Sequence, residues 1–266
     1  MTNDKLQITN FVKLLKEYNQ KFNLTSIIND KEIEIKHIED SLAGEKFIKE
    51  NAACIDIGSG GGFPALPLKI KREDISYTLL ESTGKKCGFL NICVKELNLE
   101  KTNVTEGRAE ELAHNALHRE KYDVCTARAV ARLNTLCEYC MPFVKPGGLF
   151  IAYKGKLESK FWRDASLKDF FDIPTAAKAA SCQKNPLPRL TRKLSFQEVY
   201  ENSEEEKDEI KEAESAVKIL GGKIKEIFHY SLSESMGERT LVIIEKTSKT
   251  AEKYPRGRGL ERKKPL

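Results

Sequence analysis

With 266 residues, 40% of them hydrophobic, the chain can bury a full core, and its size suits one α/β domain with additions better than two equal domains. Its 45 basic and 40 acidic residues leave a net charge of +5, which permits a nucleic-acid partner without requiring one. No stretch approaches the roughly 18 uncharged apolar residues of a membrane span. The start, MTNDKLQITNF, has no basic run followed by an apolar core, and the 7 cysteines (54, 87, 93, 125, 137, 140 and 182) scatter through the chain. A cytoplasmic protein with reduced, buried thiols, no structural disulfide and no membrane partner is therefore expected.

Phe11, Leu14, Leu15, Tyr18 and Phe22 recur at helical spacing over residues 4–22, which predicts an amphipathic helix packed on the core as an N-terminal cap. A second helix is expected around Ile33–Phe47. Ala53–Ile57 then forms a short apolar run that stops at glycines, the pattern of a buried strand entering a tight turn. Strand and helix alternate from there. Strands are expected at Ile75–Glu81, Asn103–Glu106, Tyr122–Ala127 and Leu149–Tyr153, with a helix at Lys85–Leu97. A long helix near Glu204–Leu220 leads through Gly221 and Gly222 to two runs, Lys223–Tyr230 and Arg239–Lys246, close enough to pair antiparallel at a sheet edge. The alternation predicts a doubly wound, mostly parallel Rossmann-like sheet of seven strands, made of residues 51–156 and 203–247, behind a helical cap at 1–50.

Two segments fall outside this pattern. Residues 157–202 have weak periodicity, with Pro186 and Pro188, the basic Arg189, Arg192 and Lys193, and the aromatic Phe161, Trp162, Phe170 and Phe171. They read as an insertion. Residues 248–266 read as a basic tail, because from Lys246 onward Lys246, Lys249, Lys253, Arg256, Arg258, Arg262, Lys263 and Lys264 face only Glu252 and Glu261.

The strongest chemical signal is Asp56-Ile57-Gly58-Ser59-Gly60-Gly61-Gly62-Phe63-Pro64, between the first core strand and its helix. Gly58, Gly60 and Gly62 let the backbone turn sharply and let a ligand approach the main chain. Pro64 suits the first turn of a helix. A dinucleotide site would favour glycine at position 63, where Phe63 stands. A carboxylate two residues before the first glycine suits a cationic amine better than a pyrophosphate, so Asp56 is expected to face the amino group of a methionine-like moiety. Glu81, ending the next strand, can accept hydrogen bonds from ribose hydroxyls. Each piece alone is also what an ordinary turn or helix cap looks like. Together, on a strand-turn-helix-strand frame, they predict a nucleoside-cofactor site.

Further motifs follow in order: Asn23-Leu24-Thr25-Ser26-Ile27, His37-x-x-Asp40-Ser41-Leu42, Leu79-Leu80-Glu81-Ser82 with Lys85-Lys86 and Phe89-Leu90, Gly107-Arg108-Ala109-Glu110-Glu111, and Thr126-Ala127-Arg128-Ala129. Arg239-Thr240-Leu241, Lys253-Tyr254-Pro255-Arg256-x-x-Gly259 and Lys264-Pro265-Leu266 complete the set. This combination closely resembles the RsmG family, also called glucose-inhibited division protein B, over nearly the whole chain except the insertion. Ala65 departs from the family's usual glycine. The resemblance implies methyl transfer from S-adenosylmethionine to N7 of a guanine in 16S rRNA, guanine 527 in the decoding region of the small subunit. It also implies cofactor contacts at Gly58, Phe63, Ala109, Glu110 and Arg128, with Gly60, Asp56 and Glu81 added by the reading above. A monomer acting on 16S rRNA or the small ribosomal subunit, with no metal, is the expected working form.

The rest of the sequence agrees with that chemistry. Guanine N7 holds an in-plane lone pair and can attack a sulfonium methyl without a general base, so alignment dominates, and Arg128, after the fourth strand, is the candidate for positioning. An enzyme acting on an exocyclic amine would show Asn/Asp-Pro-Pro-aromatic where this chain has Thr126-Ala127-Arg128-Ala129. Cys125 lies in an apolar strand and reads as a buried thiol. Cys137-x-x-Cys140 lacks a second pair and reads as core; His114 and His118 lack a third metal ligand and read as solvated helix positions; His37 reads as a structural hydrogen-bonding residue. Two rivals use the same frame or charge: an NAD-dependent oxidoreductase, for which no hydride-transfer His/Asp or Tyr/Lys arrangement is evident, and a non-enzymatic RNA-binding or ribosome-assembly protein.

Overall fold

A computed structural model describes residues 3–155 and 209–266. The expected insertion at 157–202, Cys182 and the start of the long helix expected near Glu204–Leu220 lie outside the described residues.

Helix α1 (Asn3–Asn19) buries Phe11 and Leu15 completely, with Leu14, Tyr18 and Phe22 packed around them. It stops three residues earlier than its apolar stripe suggests. Asn19 turns the chain there, its Oδ1 accepting from the amides of Leu24 (2.8 Å) and Thr25 (2.9 Å). The second helix is broken into pieces. After the cap at Asn29 come α2 (Asp30–Ile33), a π turn (Glu34–Glu39), α3 (Asp40–Leu42) and a 3-10 turn (Glu45–Phe47). Tyr153 helps end it, donating from its hydroxyl to the Ser41 carbonyl at 2.7 Å where Gly44 leaves room for the ring.

The core alternates as expected: β1 (Ala53–Ile57), α4 (Ala65–Lys71), β2 (Ser76–Glu81), α5 (Gly84–Glu96), β3 (Thr102–Glu106), α6 (Ala109–Leu112), β4 (Tyr122–Arg128), α7 (Leu133–Cys140) and β5 (Val144–Lys154). After the undescribed segment come α8 (Glu209–Ile219), β6 (Gly222–Ser231), β7 (Glu238–Lys246) and α9 (Leu260–Lys263). The seven strands lie in the order β3-β2-β1-β4-β5-β7-β6, all parallel except β7, which runs against both neighbours. Helices cover both faces. Strand β5 begins five residues earlier than its apolar run, at Val144, because Lys145 to Gly148 continue into the sheet through an irregularity opposite Tyr122 and Val124. Pro64 caps α4 rather than occupying its first turn.

The strand order reverses between β1 and β4, and in open α/β sheets the crevice beyond the carboxyl ends at such a reversal is where ligands bind. Six of the cysteines are buried and free, Cys137 and Cys140 among them in α7. His114 and His118 stand beyond the end of α6, not on a helix, and each is tied down: His114 Nε2 to the Pro255 carbonyl (2.9 Å), His118 Nδ1 to the Tyr122 hydroxyl (2.8 Å).

The C-terminal residues fold back on the domain as a strap. Lys246 is fully buried and donates to the Met141 carbonyl (2.7 Å) and the Thr250 hydroxyl. Arg119 reaches the carbonyls of Thr250, Ala251 and Tyr254, and Arg256 pairs with the buried Glu138 at 2.7 Å. Of the eight basic residues that make this segment look like a tail, these two serve the interior, and the other six are exposed. Among the described residues no helix is long and apolar enough to cross a membrane.

Candidate functional site

The glycine loop is held from below. Gly58 and Ser59 donate their amides to the Leu80 carbonyl (2.8 and 3.1 Å), so the turn leaving β1 is clamped to the end of β2. Glu81, buried at the same strand end, accepts from the Gly60 amide through Oε2 and from the Thr83 amide through Oε1, both at 2.9 Å. Its carboxylate fixes the loop and the entry to α5. Asp56 lies deeper still, 1% exposed, with Oδ1 accepting from the Thr126 hydroxyl (2.7 Å) and Oδ2 buried without a partner. Burial pushes its carboxyl up to about 7. Neither Asp56 nor Glu81 lines a cleft.

Among the described residues two clefts open at the carboxyl rim, and both are walled by Gly58. What separates them is the end of β4. Ala129 takes a left-handed conformation (φ 58°), uncommon for a residue with a side chain, so that Ala129 and the preceding Arg128 line one cleft while Val130 lines the other. The larger cleft, about 580 Å³, carries Gly60, Phe63 and the cations Lys36, Lys86, Arg128, Lys154 and Arg239, with Asp40 the carboxylate on its wall, while Lys36 and Lys154 also pair with Glu32 and Glu209. The smaller, about 250 Å³, has apolar walls at Ile57, Leu80 and Val130 and a polar edge at Ser82, Ala109 and Glu110. Six of the eight residues singled out in the sequence thus reach a cleft, and Asp56 and Glu81 support the loop between.

The larger cleft has an ordered floor. His37 stacks on Phe63 with ring centroids 4.4 Å apart, and Phe63 packs in turn on Phe11 of the cap at 5.2 Å. The Arg128 guanidinium lies 5.0 Å from the Phe63 ring centre, donates to Asp40 at 2.8 Å and meets His37 Nδ1 at 3.1 Å. Arginine has no acceptor, so His37 Nδ1 accepts and Nε2 carries the proton toward the Thr25 hydroxyl, 2.7 Å away. Burial, followed by the positive charge of Arg128, holds the imidazole down to about 4, and it is neutral at pH 7. Asp40 also accepts from the Tyr230 hydroxyl (2.6 Å) and lies 3.6 Å from Arg239.

The profile of the family described as rRNA small subunit methyltransferase G matches residues 4–187. A protein of that name from Clostridium botulinum (strain Loch Maree) is 39% identical over 99% of this chain and 92% of its own length. One from Alkaliphilus metalliredigens is 36% identical over 99% and 91%. The chain belongs to the rRNA small subunit methyltransferase G family. It is a methyltransferase. Among solved structures, an O-methyltransferase from Bacillus cereus in complex with SAH superposes with a TM-score of 0.51 at 13% identity, over 89% of this chain and 91% of that one. A putative O-methyltransferase from Klebsiella pneumoniae gives 0.50 at 10% identity over 90% of each. These two share the fold.

In this member of the family, several cleft residues carried no signal of their own in the sequence. Asp40 and Arg239 stand inside recognised motifs, but the contacts of Asp40 with Tyr230 and Arg239 join elements far apart in the chain. Tyr139 belongs to none of the motifs and Arg262 reads as one more cation of a tail, yet both line the smaller cleft with Gly259. His37 has the hydrogen-bonding role expected of it, and in addition it forms part of the cleft wall.

Proposed function

We propose that the chain binds S-adenosylmethionine across the two clefts and methylates N7 of a guanine in 16S rRNA, guanine 527 of the small subunit. The observation that carries this reading is the shared wall: a cleft of nucleoside size, with apolar walls and a polar edge, and a cation-lined one meet at Gly58, at the sheet's reversal point. The chain's own residues fit such a cofactor. A Cβ placed on Gly60 would meet nothing nearer than the Gly58 carbonyl at 3.7 Å, so the backbone there is open to a ligand. Ala109 and Glu110, which line the smaller cleft, open the four-residue α6, where the Glu111 and Leu112 amides already donate to the Arg108 carbonyl and the two preceding amides have no acceptor within the helix.

When bound, the cofactor supplies an electrophilic methyl on its sulfonium. Glu81 holds the loop in one conformation through Gly60 and Thr83. Phe63, held between His37 and Phe11, gives the guanine side of the larger cleft a fixed aromatic surface. Arg128 is oriented by Asp40 and by His37 Nδ1, so its guanidinium enters the cleft in one pose. The cations around it suit RNA phosphates. N7 brings its own lone pair, so no residue has to remove a proton, and the neutral His37 is free to act by position alone.

The test is single-turnover methylation of small subunits from cells lacking this enzyme, followed by mass mapping of the modified nucleotide. A methyl at N7 of guanine 527 is expected. Methyl on an exocyclic amine, or on a different RNA, would overturn the assignment.

A further inference from the structure

We infer that Arg262 is a binding residue of the smaller cleft, covering a nucleoside base with the plane of its guanidinium. The inference rests on reading that cleft as the nucleoside seat. Three walls come from the sheet rim and α6, as in any sheet of this kind; the remaining one, Tyr139, Gly259 and Arg262, comes from α7 and the C-terminal strap. Arg262 is exposed on the four-residue α9, and its guanidinium carbon lies 6.0 Å from the Tyr139 ring centre.

An exposed arginine is ordinarily mobile, but this one is delivered by an anchored backbone. Each of the two side chains sits beside an anchored neighbour. Glu138, next to Tyr139, is completely buried and takes the Arg256 amide (2.8 Å), Nε (2.9 Å) and Nη2 (2.7 Å). Glu261, next to Arg262, is also completely buried; its carbonyl accepts from the Thr135 hydroxyl at 2.9 Å and its carboxylate from the Gly257 amide. A planar cation lining the same cleft as Ile57, Leu80 and Val130 matches a flat base that is apolar on its faces and polar at its edges. The same charge on a free tail would attract RNA without regard to shape.

Calorimetry of the full chain with S-adenosylhomocysteine and with adenosine alone tests this. Arg262→Ala should weaken both ligands by the same factor, about 3- to 20-fold for a partly desolvated stacked cation. Arg262→Lys, which keeps the charge and loses the plane, should recover little of it. Lys264→Ala, altering an exposed neighbour outside the cleft, should leave both constants unchanged, and all three variants should melt with the wild type. Unchanged affinity in Arg262→Ala, full recovery in Arg262→Lys, or an equal loss in Lys264→Ala would each overturn the inference while the cofactor reading stands. Failure of the wild-type chain to bind S-adenosylhomocysteine would instead remove the cofactor reading, and this inference with it.

Discussion

At the scale of single residues, the glycine loop separates sterics from strain. A Cβ on Gly58 (φ 74°) would come within 2.9 Å of Val130 Cγ2, so a substitution there disturbs the fold as well as the cleft. Gly58→Val therefore cannot report on cofactor binding alone. Gly60→Ala is the cleaner probe: its cost in stability is the left-handed backbone, about 1–2 kcal/mol, while the new methyl points into open space that a ligand would need. Cofactor affinity should fall more than tenfold in Gly60→Ala with a melting loss of only a few degrees. For Asp56, the sign of the pH dependence follows from a folded-state pKa raised from 3.8 to about 7. Between those values the folded chain holds a proton that the unfolded chain has released, so stability falls as pH rises through that window and levels off above it. A difference of that size corresponds to on the order of 4 kcal/mol. Asp56→Asn, which cannot ionise, should gain on the wild type by a comparable amount between pH 4 and 7.5 in denaturant titrations; parallel profiles would place the charge elsewhere. Arg128→Ala should lower turnover on small subunits at least tenfold and also cost about 1–3 kcal/mol of stability, since Asp40 keeps the Tyr230 hydroxyl and Arg239 as partners. Loss of stability with full specific activity would leave the ion pair as its only role.

At the scale of elements, the strands and the glycine turn were legible because alternation of short apolar runs with helical stripes leaves few topologies. The second helix was less so. Its apolar spacing continues through Ile33, Ile35 and Ile38, whereas its path depends on a π turn, and π turns carry no periodic signature and cluster at functional sites. Here that turn brings Lys36 and His37 to the cleft. The strap was illegible for a related reason: basic composition describes a charge and not its partner, and Met141, which holds Lys246, and Glu138, which holds Arg256, lie over a hundred residues away. Glu138→Gln, which breaks the buried pair with Arg256, should therefore cost about 3–5 kcal/mol and open the strap to protease before the rest of the domain. Simultaneous opening of strap and core would show that the two unfold as one unit.

For the whole molecule, cations divide into those that hold the fold and those that face solvent. Truncating the chain after Lys246 would remove both kinds at once, Arg256 with Lys253 and Lys263. Replacing only the exposed Lys249, Lys253, Lys263 and Lys264 by glutamine should keep the melting temperature and reduce the salt dependence of RNA binding, by about 0.7 in the log-log slope for every phosphate they no longer neutralise. An unchanged slope would mean that those lysines touch no phosphate.

The anchored strap also gives the order of synthesis a meaning. Domains form from the N-terminus as the chain emerges, and the cap, the glycine loop and most of the sheet are made long before residues 250–264. The wall formed by Gly259 and Arg262 is thus made after every other part of the smaller cleft, so a nascent chain from which it has yet to emerge cannot close that cleft around a nucleoside.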